Sequence, residues 1–337
     1  TLTHEHLLNT FGSPPRGSAQ WPPRGQVPDD PRANQPITLE NIEWIRRNGS
    51  VHPDNVGFRD EALLVDEVMM FKSAGGGALV DATIPDVSRD PEGMARIAQA
   101  TGVHVVAGCG HYVDQYHPDD MSDRSEDQIM KEIIHDVTEG CDRTSIKAGI
   151  IGEIGCTTPM TGNEIKTLRA AARAQRATGA PLLIHPGRSV SSPFEAMHVV
   201  AQAGGDPDRT IMSHVDRTLF DPQAMVQLAR TGCYIEFDHF GHEMSHYRSN
   251  PTIDMPNDAM RINHLQWLIS EGYGDKLVIS HDIANNIKLV KYGGFGYAHI
   301  LQNVVPMMKR KGMTHDQIDA ILVHNPARVL TMAPAGG

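Results

Sequence analysis

Four histidines, a glutamate and an aspartate stand along this chain as ligands for divalent cations would: His4, His6, Glu153, His185, His214 and Asp282. Each ends or closely follows a short apolar run, as in Pro181-Leu182-Leu183-Ile184-His185 and Leu277-Val278-Ile279-Ser280-His281-Asp282. Residues i and i+2 of a strand share a face, so His4 and His6 can grip one cation together. The other four recur at long intervals, as separate parallel strands would deliver them to one end of a sheet. A single catalytic zinc needs only three protein ligands and a water. Six ligands, two of them carboxylates, therefore suit two divalent metal ions, with Glu153 bridging them. The expected chemistry is hydrolysis by a water that the two ions share and acidify from a pKa of about 16 to about 7. Asp282 would take the water's proton and pass it to the leaving group, as catalytic residue and ligand at once. Zinc is the expected metal, and manganese, cobalt or iron would suit the same donors.

Cationic side chains follow the ligands at short distance. Arg188 lies three residues after His185, Arg217 three after His214, and Lys291 with Tyr292 falls in the segment after Asp282. Their convergence would favour a small anionic substrate. The structural alternative is that Arg188 and Arg217 pair with Asp216, Glu236 or Asp238 and hold loops in place.

These residues need a scaffold that brings distant segments together. Strand candidates at 1–6, 78–83, 103–108, 149–154, 181–185, 210–214, 232–237 and 277–282 alternate with amphipathic segments at 60–74, 91–101, 125–138, 162–179, 193–204, 221–231, 258–272 and 298–311. Eight strand–helix units without a compositional break predict one α/β domain over residues 1–337, a closed (β/α)8 TIM barrel. An open doubly wound sheet is disfavoured, because no GxGxxG turn follows the first strand. Two long insertions, 10–59 and 238–257, follow strands one and seven. Loops after strands border the catalytic mouth of a barrel, so both are expected to cover the site. The first is rich in proline around Trp21 and Trp44, and the second carries His239, His242, His246 and Tyr247.

A net charge of −11 and the lack of any basic run argue against nucleic acid. No stretch is apolar for long enough to span a membrane. Cys109, Cys141, Cys156 and Cys233 show no CxxC spacing and read as reduced thiols of a cytoplasmic protein, with Cys109, Cys156 and Cys233 expected to be buried in or just after strands. The sequence opens without methionine inside its first strand, so a few further residues are expected ahead of it.

The motifs carry a resemblance as well. Thr1-Leu2-Thr3-His4-Glu5-His6, Lys147 to Cys156, His185-Pro186-Gly187-Arg188-Ser189, Ser213 to Thr218 and Lys291 to Tyr297 resemble the phosphotriesterase family of the amidohydrolase superfamily over essentially the whole chain. The resemblance implies a barrel with a binuclear centre: His4 and His6 on one metal, His185 and His214 on the other, Glu153 between them and Asp282 completing the set. Gly152 stands where true phosphotriesterases place a carboxylated lysine. Lys147, about 20 Å of strand away from Glu153, lies at the wrong end to replace it. Arg217 falls where those enzymes carry the acid of a proton relay, and His239 fits the relay's histidine at the substrate's edge. The relay thus lacks its acidic end, which disfavours efficient phosphotriester hydrolysis. Animal members of the most similar branch hydrolyse N-acetyltaurine, so the resemblance implies an amidohydrolase acting on that or a similar N-acylated anion. A lactonase or carboxylesterase, a weak phosphotriesterase, and a non-catalytic resiniferatoxin-like binding protein are the alternatives. Barrels of this type often form homodimers.

Overall fold

The computed structural model describes residues 1–10, 30–244, 247, 250 and 252–334. Eight short strands form one parallel sheet in simple sequential order: β1 (Leu2–Glu5), β2 (Ala78–Asp81), β3 (His104–Cys109), β4 (Ile150–Gly155), β5 (Leu182–His185), β6 (Thr210–Met212), β7 (Tyr234–Phe237) and β8 (Leu277–Ile279). Across the remaining seam, Asp282 N donates to the His4 carbonyl at 3.1 Å. Thr3 Oγ1 donates to the Ile279 carbonyl at 3.4 Å. The result is the expected TIM-type barrel, and all eight strand candidates lie within it.

The strands read as apolar runs because both of their faces are covered. Val80, Ile150, Leu183, Ile211, Tyr234 and Val278 pack together as one cluster. Ile151, Leu182, Met212, Phe237 and Leu277 belong to a second, larger cluster with the helices. Those helices are α1 (Ile42–Asn48), α2 (Glu61–Ser73), α3 (Pro91–Thr101), α4 (Glu126–Thr138), α5 (Gly162–Thr178), α6 (Ser192–Gln202), α7 (Pro222–Ala229), α8 (Asp258–Ser270), α9 (Val305–Arg310), α10 (His315–Asp319) and α11 (Asn325–Leu330). Segment 298–311 divides into a π-helical turn, Ile300–Val304, and α9. No helix among the described residues is long and apolar enough to cross a membrane.

Helix ends are set by local chemistry. Thr161 accepts from Glu164 N, and the Glu164 carboxylate returns to Thr161 N, a reciprocal cap for α5. Glu164 is fully buried and also holds Asp114 N and Thr157 N at 3.0 Å each. One capping carboxylate thereby ties the loops after β3 and β4 together.

Within the first insertion, residues 11–29, with Trp21 and most of the prolines, lie outside the described residues. The rest contains α1, whose Trp44 and Ile45 pack against Ile287 in the segment after β8. Asn286 N donates to the Asn55 carbonyl at 3.1 Å, and Ile287 N to Asn55 Oδ1 at 3.0 Å. The loops after the first and last strands thus meet at the barrel mouth.

After β3 the chain continues through His111 and Tyr112, both anchored by Asp86. Its carboxylate takes His111 Nδ1 at 3.1 Å and Tyr112 N at 2.8 Å. Burial alone would lower the His111 pKa, but the Asp86 charge outweighs it and raises it to about 9. An imidazole raised from about 6.5 contributes stability fully below that value and loses it as pH climbs through about 9. His111→Gln should therefore destabilise the fold by about 3 kcal/mol at pH 6 and by well under 1 kcal/mol above pH 9.5. Urea unfolding of both proteins at the two pH values measures this, and equal losses at both would show that His111 stays neutral.

Candidate metal centre

All six expected ligands meet at the C-terminal end of the barrel, and two backbone devices put them there. Along β4, Ile151 and Ile154 both pack with the helix-side cluster although they are three residues apart, which regular alternation forbids. A bulge resolves this: Cys109 of β3 faces both Ile151 and Gly152. The bulge turns Glu153 inward toward the histidines. It requires φ +134° at Gly152, where a Cβ would lie 2.3 Å from the Leu183 carbonyl oxygen. No lysine can occupy that position here.

The second device is the left-handed backbone at two of the ligands, His214 (φ +55°) and Asp282 (φ +50°). Non-glycine residues in this region cost about 1–3 kcal/mol each and persist only where neighbours over-determine them. For His214 the neighbour is Asp238, whose carboxylate takes His214 N at 3.0 Å and Nδ1 at 2.9 Å.

Glu153 lies at the centre of the cluster. Its Oε1 is 3.4 Å from His6 Nε2, and its Oε2 is 2.7 Å from His185 Nδ1 and 3.6 Å from both His4 Nε2 and His214 Nε2. Asp282 Oδ1 lies 3.3 Å from His6 Nε2 and 4.0 Å from His4 Nε2. Of the five groupings of such side chains among the described residues, two consist of expected ligands alone, His4–His6–Asp282 and Glu153–His185–His214, each with ligand atoms within 4.8 Å of one another. Glu153 presents Oε1 to His6, while Oε2 faces His185, His214 and His4.

The donors fit divalent cations. His4 Nε2 is buried, points at the two carboxylates and has no hydrogen-bond partner among the described residues. Burial would lower the His4 pKa, but Glu153, helped by Asp238 and Glu236 behind the ring, pushes it well above its ordinary value. The pocket around that nitrogen therefore favours positive charge. Burial, and then the neighbouring His214, pulls His185 down to about 3, which keeps its imidazole neutral. Burial opposes ionisation of Glu153, yet the surrounding imidazoles, His185 and His4 foremost, hold it as a carboxylate well below the usual range.

Behind the ligands stand carboxylates that fix ring orientation, as in metal sites generally. Asp238 takes His4 Nδ1 at 3.1 Å, besides its two bonds to His214, and lies 3.0 Å from His239 Nδ1. Glu236 lies 3.3 Å from His4 Nδ1 and takes Ser213 Oγ at 2.9 Å. These acids were not among the candidate residues, although Glu236 and Asp238 at i and i+2 of a buried strand were a signal.

His239 lies behind Asp282, with Nε2 3.8 Å from Asp282 Oδ2. Its Nδ1 lies 2.8 Å from Asp216, which in turn accepts from Arg261 Nε at 2.7 Å. The relay expected to lack its acid therefore has one, supplied by Asp216 rather than by the neighbouring Arg217. The absence of a relay acid no longer counts against phosphoester chemistry. Burial would lower the His239 pKa, but Asp216 raises it to about 9.

The cations divide into two groups. Arg217 is buried and donates to the Pro186 carbonyl at 3.1 Å, with its Nη2 3.2 Å from His185 Nε2. Arg188 donates to the Tyr247 hydroxyl at 3.0 Å, and both guanidiniums stand over the Tyr247 ring. Neither pairs with a carboxylate among the described residues, so the loop-holding ion pairs with Asp216, Glu236 or Asp238 do not form. Burial resists ionisation of Tyr247, but Arg217 and then Arg188 bring its phenol down to about 7. Tyr112 packs its ring edge on His185, with its hydroxyl 3.4 Å from His185 Nδ1. Lys291 and Tyr292, by contrast, lie on the turn Val290–Tyr292, whose backbone N–H groups at Val290 and Lys291 are held by Glu67 of α2. No contact joins these two side chains to the ligands among the described residues. The lysine of this loop that reaches the site is Lys288, hydrogen-bonded to the Asp282 carbonyl and 3.9 Å from its carboxylate.

On the Asp282 side opens a cavity of about 360 Å³, lined by apolar Phe240, Met244, Ile283, Ile287 and Phe295 and also by Arg46, His242, Glu243 and Lys288.

Comparison with known proteins agrees with this fold. Residues 1–330 match the model of the Phosphotriesterase family. The chain is 43% identical over 332 residues to the N-acetyltaurine hydrolase of Bos taurus, covering 98% of this chain and 93% of that protein. It is 41% identical over 333 residues to the phosphotriesterase-related protein of Nematostella vectensis, covering 98% and 94%. The crystal structure of a resiniferatoxin-binding protein from Rhodobacter sphaeroides superposes with TM-score 0.88 at 33% identity, over 98% of this chain and 90% of that one.

Proposed function

The chain belongs to the phosphotriesterase family and is a hydrolase; from that premise we propose that residues 1–337 act as one metal-dependent amidohydrolase on an N-acylated anionic small molecule, with N-acetyltaurine as the type substrate. The observation that carries this reading is the pair Arg188 and Arg217, two cations without a carboxylate partner among the described residues, beside the His185 end of the ligand cluster. The relatives named as N-acetyltaurine hydrolases support the same substrate class.

His4, His6 and Asp282 would hold one divalent ion and His185 with His214 the other, with Glu153 shared. Bound there, the ions would supply Lewis acidity and an acidified water. The chain's own groups do the rest. Asp282 accepts a proton at its carboxylate, and Lys288 beside it favours the ionised form. His239, with Nε2 toward Asp282 and Nδ1 on Asp216, is placed to carry a proton to the departing nitrogen. An amide needs that delivery, because an unprotonated amine is a poor leaving group. Arg188 would grip the sulfonate or carboxylate through paired N–H groups. The acyl group would enter the cavity on the Asp282 side, against Phe240, Ile283 and Phe295.

The test is a panel of N-acyl amino sulfonates, N-acyl amino carboxylates and lactones offered to protein reconstituted with zinc. Amine release from the anionic amides is expected. Lactone opening without amine release would make the protein a lactonase instead. Arg188→Met should raise KM for the anionic amides about 10- to 100-fold, the loss of one or two charge-assisted hydrogen bonds, with kcat little changed. Unchanged KM would remove Arg188 from substrate binding.

A further inference from the structure

Glu5 lies between the two β1 histidines in sequence, yet the hydrogen bonds of its carboxylate go to the chain just after β8. It is fully buried, and its carboxylate collects four of them. Oε1 accepts from Ser280 Oγ at 2.7 Å, His281 N at 3.0 Å and His281 Nδ1 at 2.7 Å, and Oε2 accepts from Ile283 N at 3.1 Å. The two backbone donors are the N–H groups on either side of Asp282. Two such groups turned onto one anion form a concavity that requires a left-handed residue nearby. That residue is Asp282, at φ +50°.

The rest of the arrangement tightens the same turn. Asp282 N is spent on the His4 carbonyl, the residue preceding Glu5. His281 Nε2 accepts from Ile300 N at 3.1 Å, so the imidazole proton must sit on Nδ1, facing Glu5. That bond links the turn to the helical segment beginning at Ile300. Four donors on one side chain need the lone pairs of both carboxylate oxygens. A glutamine would present an NH2 group to one set of donors.

We propose that Glu5 is a positioning residue: it clamps the Asp282 turn to β1, so that one strand sets both the His4–His6 pair and the aspartate that shares their cation. This rests on the assignment of Asp282 as ligand and proton acceptor, and its test has a readout that does not need turnover. Zinc is titrated calorimetrically into metal-free full-length protein, wild type and Glu5→Gln. One of two zinc equivalents should weaken about 10- to 100-fold while the other is unchanged, the range seen when an orienting partner is lost. In the turnover assay kcat should fall about 100-fold at nearly constant KM, as for a reacting group displaced by about 1 Å. If Glu5→Gln does not fold, Ser280→Ala removes one donor and should give the same one-sided weakening on a smaller scale. Two zinc equivalents bound as in the wild type, or both weakened alike, would overturn the proposal. If the wild type releases no amine, the hydrolytic reading fails while the zinc titration still decides the role of Glu5.

Discussion

Asp282→Asn should lower kcat for amide hydrolysis by about 10³-fold, in the range that a positioned proton acceptor contributes. That corresponds to about 4 kcal/mol of transition-state stabilisation. KM should stay within a few-fold, because Arg188 and the cavity, rather than Asp282, are assigned to the ground-state substrate. An asparagine oxygen can still face His6 and His4, so zinc binding should weaken without disappearing. Steady-state kinetics with zinc content measured on the same samples separates the two effects. Activity within tenfold of wild type at full zinc content would mean that another group takes the proton.

Glu153→Gln should have the largest effect on metal binding. Glu153 faces both histidine pairs, and its two oxygens lie 3.4 Å from His6 and 2.7 Å from His185. Exchanging an oxygen for NH2 turns a donor toward nitrogens that also need an acceptor or a cation. Losing an orienting partner costs about 10- to 100-fold in metal affinity, and losing a shared ligand should exceed the upper end of that range for both ions. The folded state gains about 2.7 kcal/mol when a ligand stands at 100 times its Kd. Zinc should therefore raise the melting temperature of metal-free wild type and leave Glu153→Gln nearly unmoved. Equal shifts in the two proteins would remove Glu153 from the site.

The barrel was legible because strands covered on both faces appear as short apolar runs, each followed by a helical stretch with its own stop signal, such as Gly179 after α5. The cluster of candidate ligands was legible because its members end those runs. Features that depend on neighbouring strands could not be read. Simple alternation along β4 would turn Glu153 away from the barrel axis, and only the bulge at Gly152 brings it in. Asp238 looks like any buried strand-end acid until β1 and β6 bring His4 and His214 against it. The relay acid was sought at Arg217. His214 adopts the left-handed region and the next turn begins at once, so the side chain that reaches His239 is Asp216. In the loop after β8, Lys291 was chosen where Lys288 reaches the site, a difference of one helical turn in a segment without periodicity. Helix α1 was missed because its seven residues lie inside a proline-rich insertion and are held by packing of Trp44 and Ile45 rather than by propensity.

The most direct test is to add zinc stepwise to metal-free protein and measure the amine released from N-acetyltaurine at each ratio. The rate should climb until two equivalents per chain are present and then level off. Release that saturates at one equivalent, or no release at any ratio, would contradict a hydrolytic site built on two cations joined by Glu153.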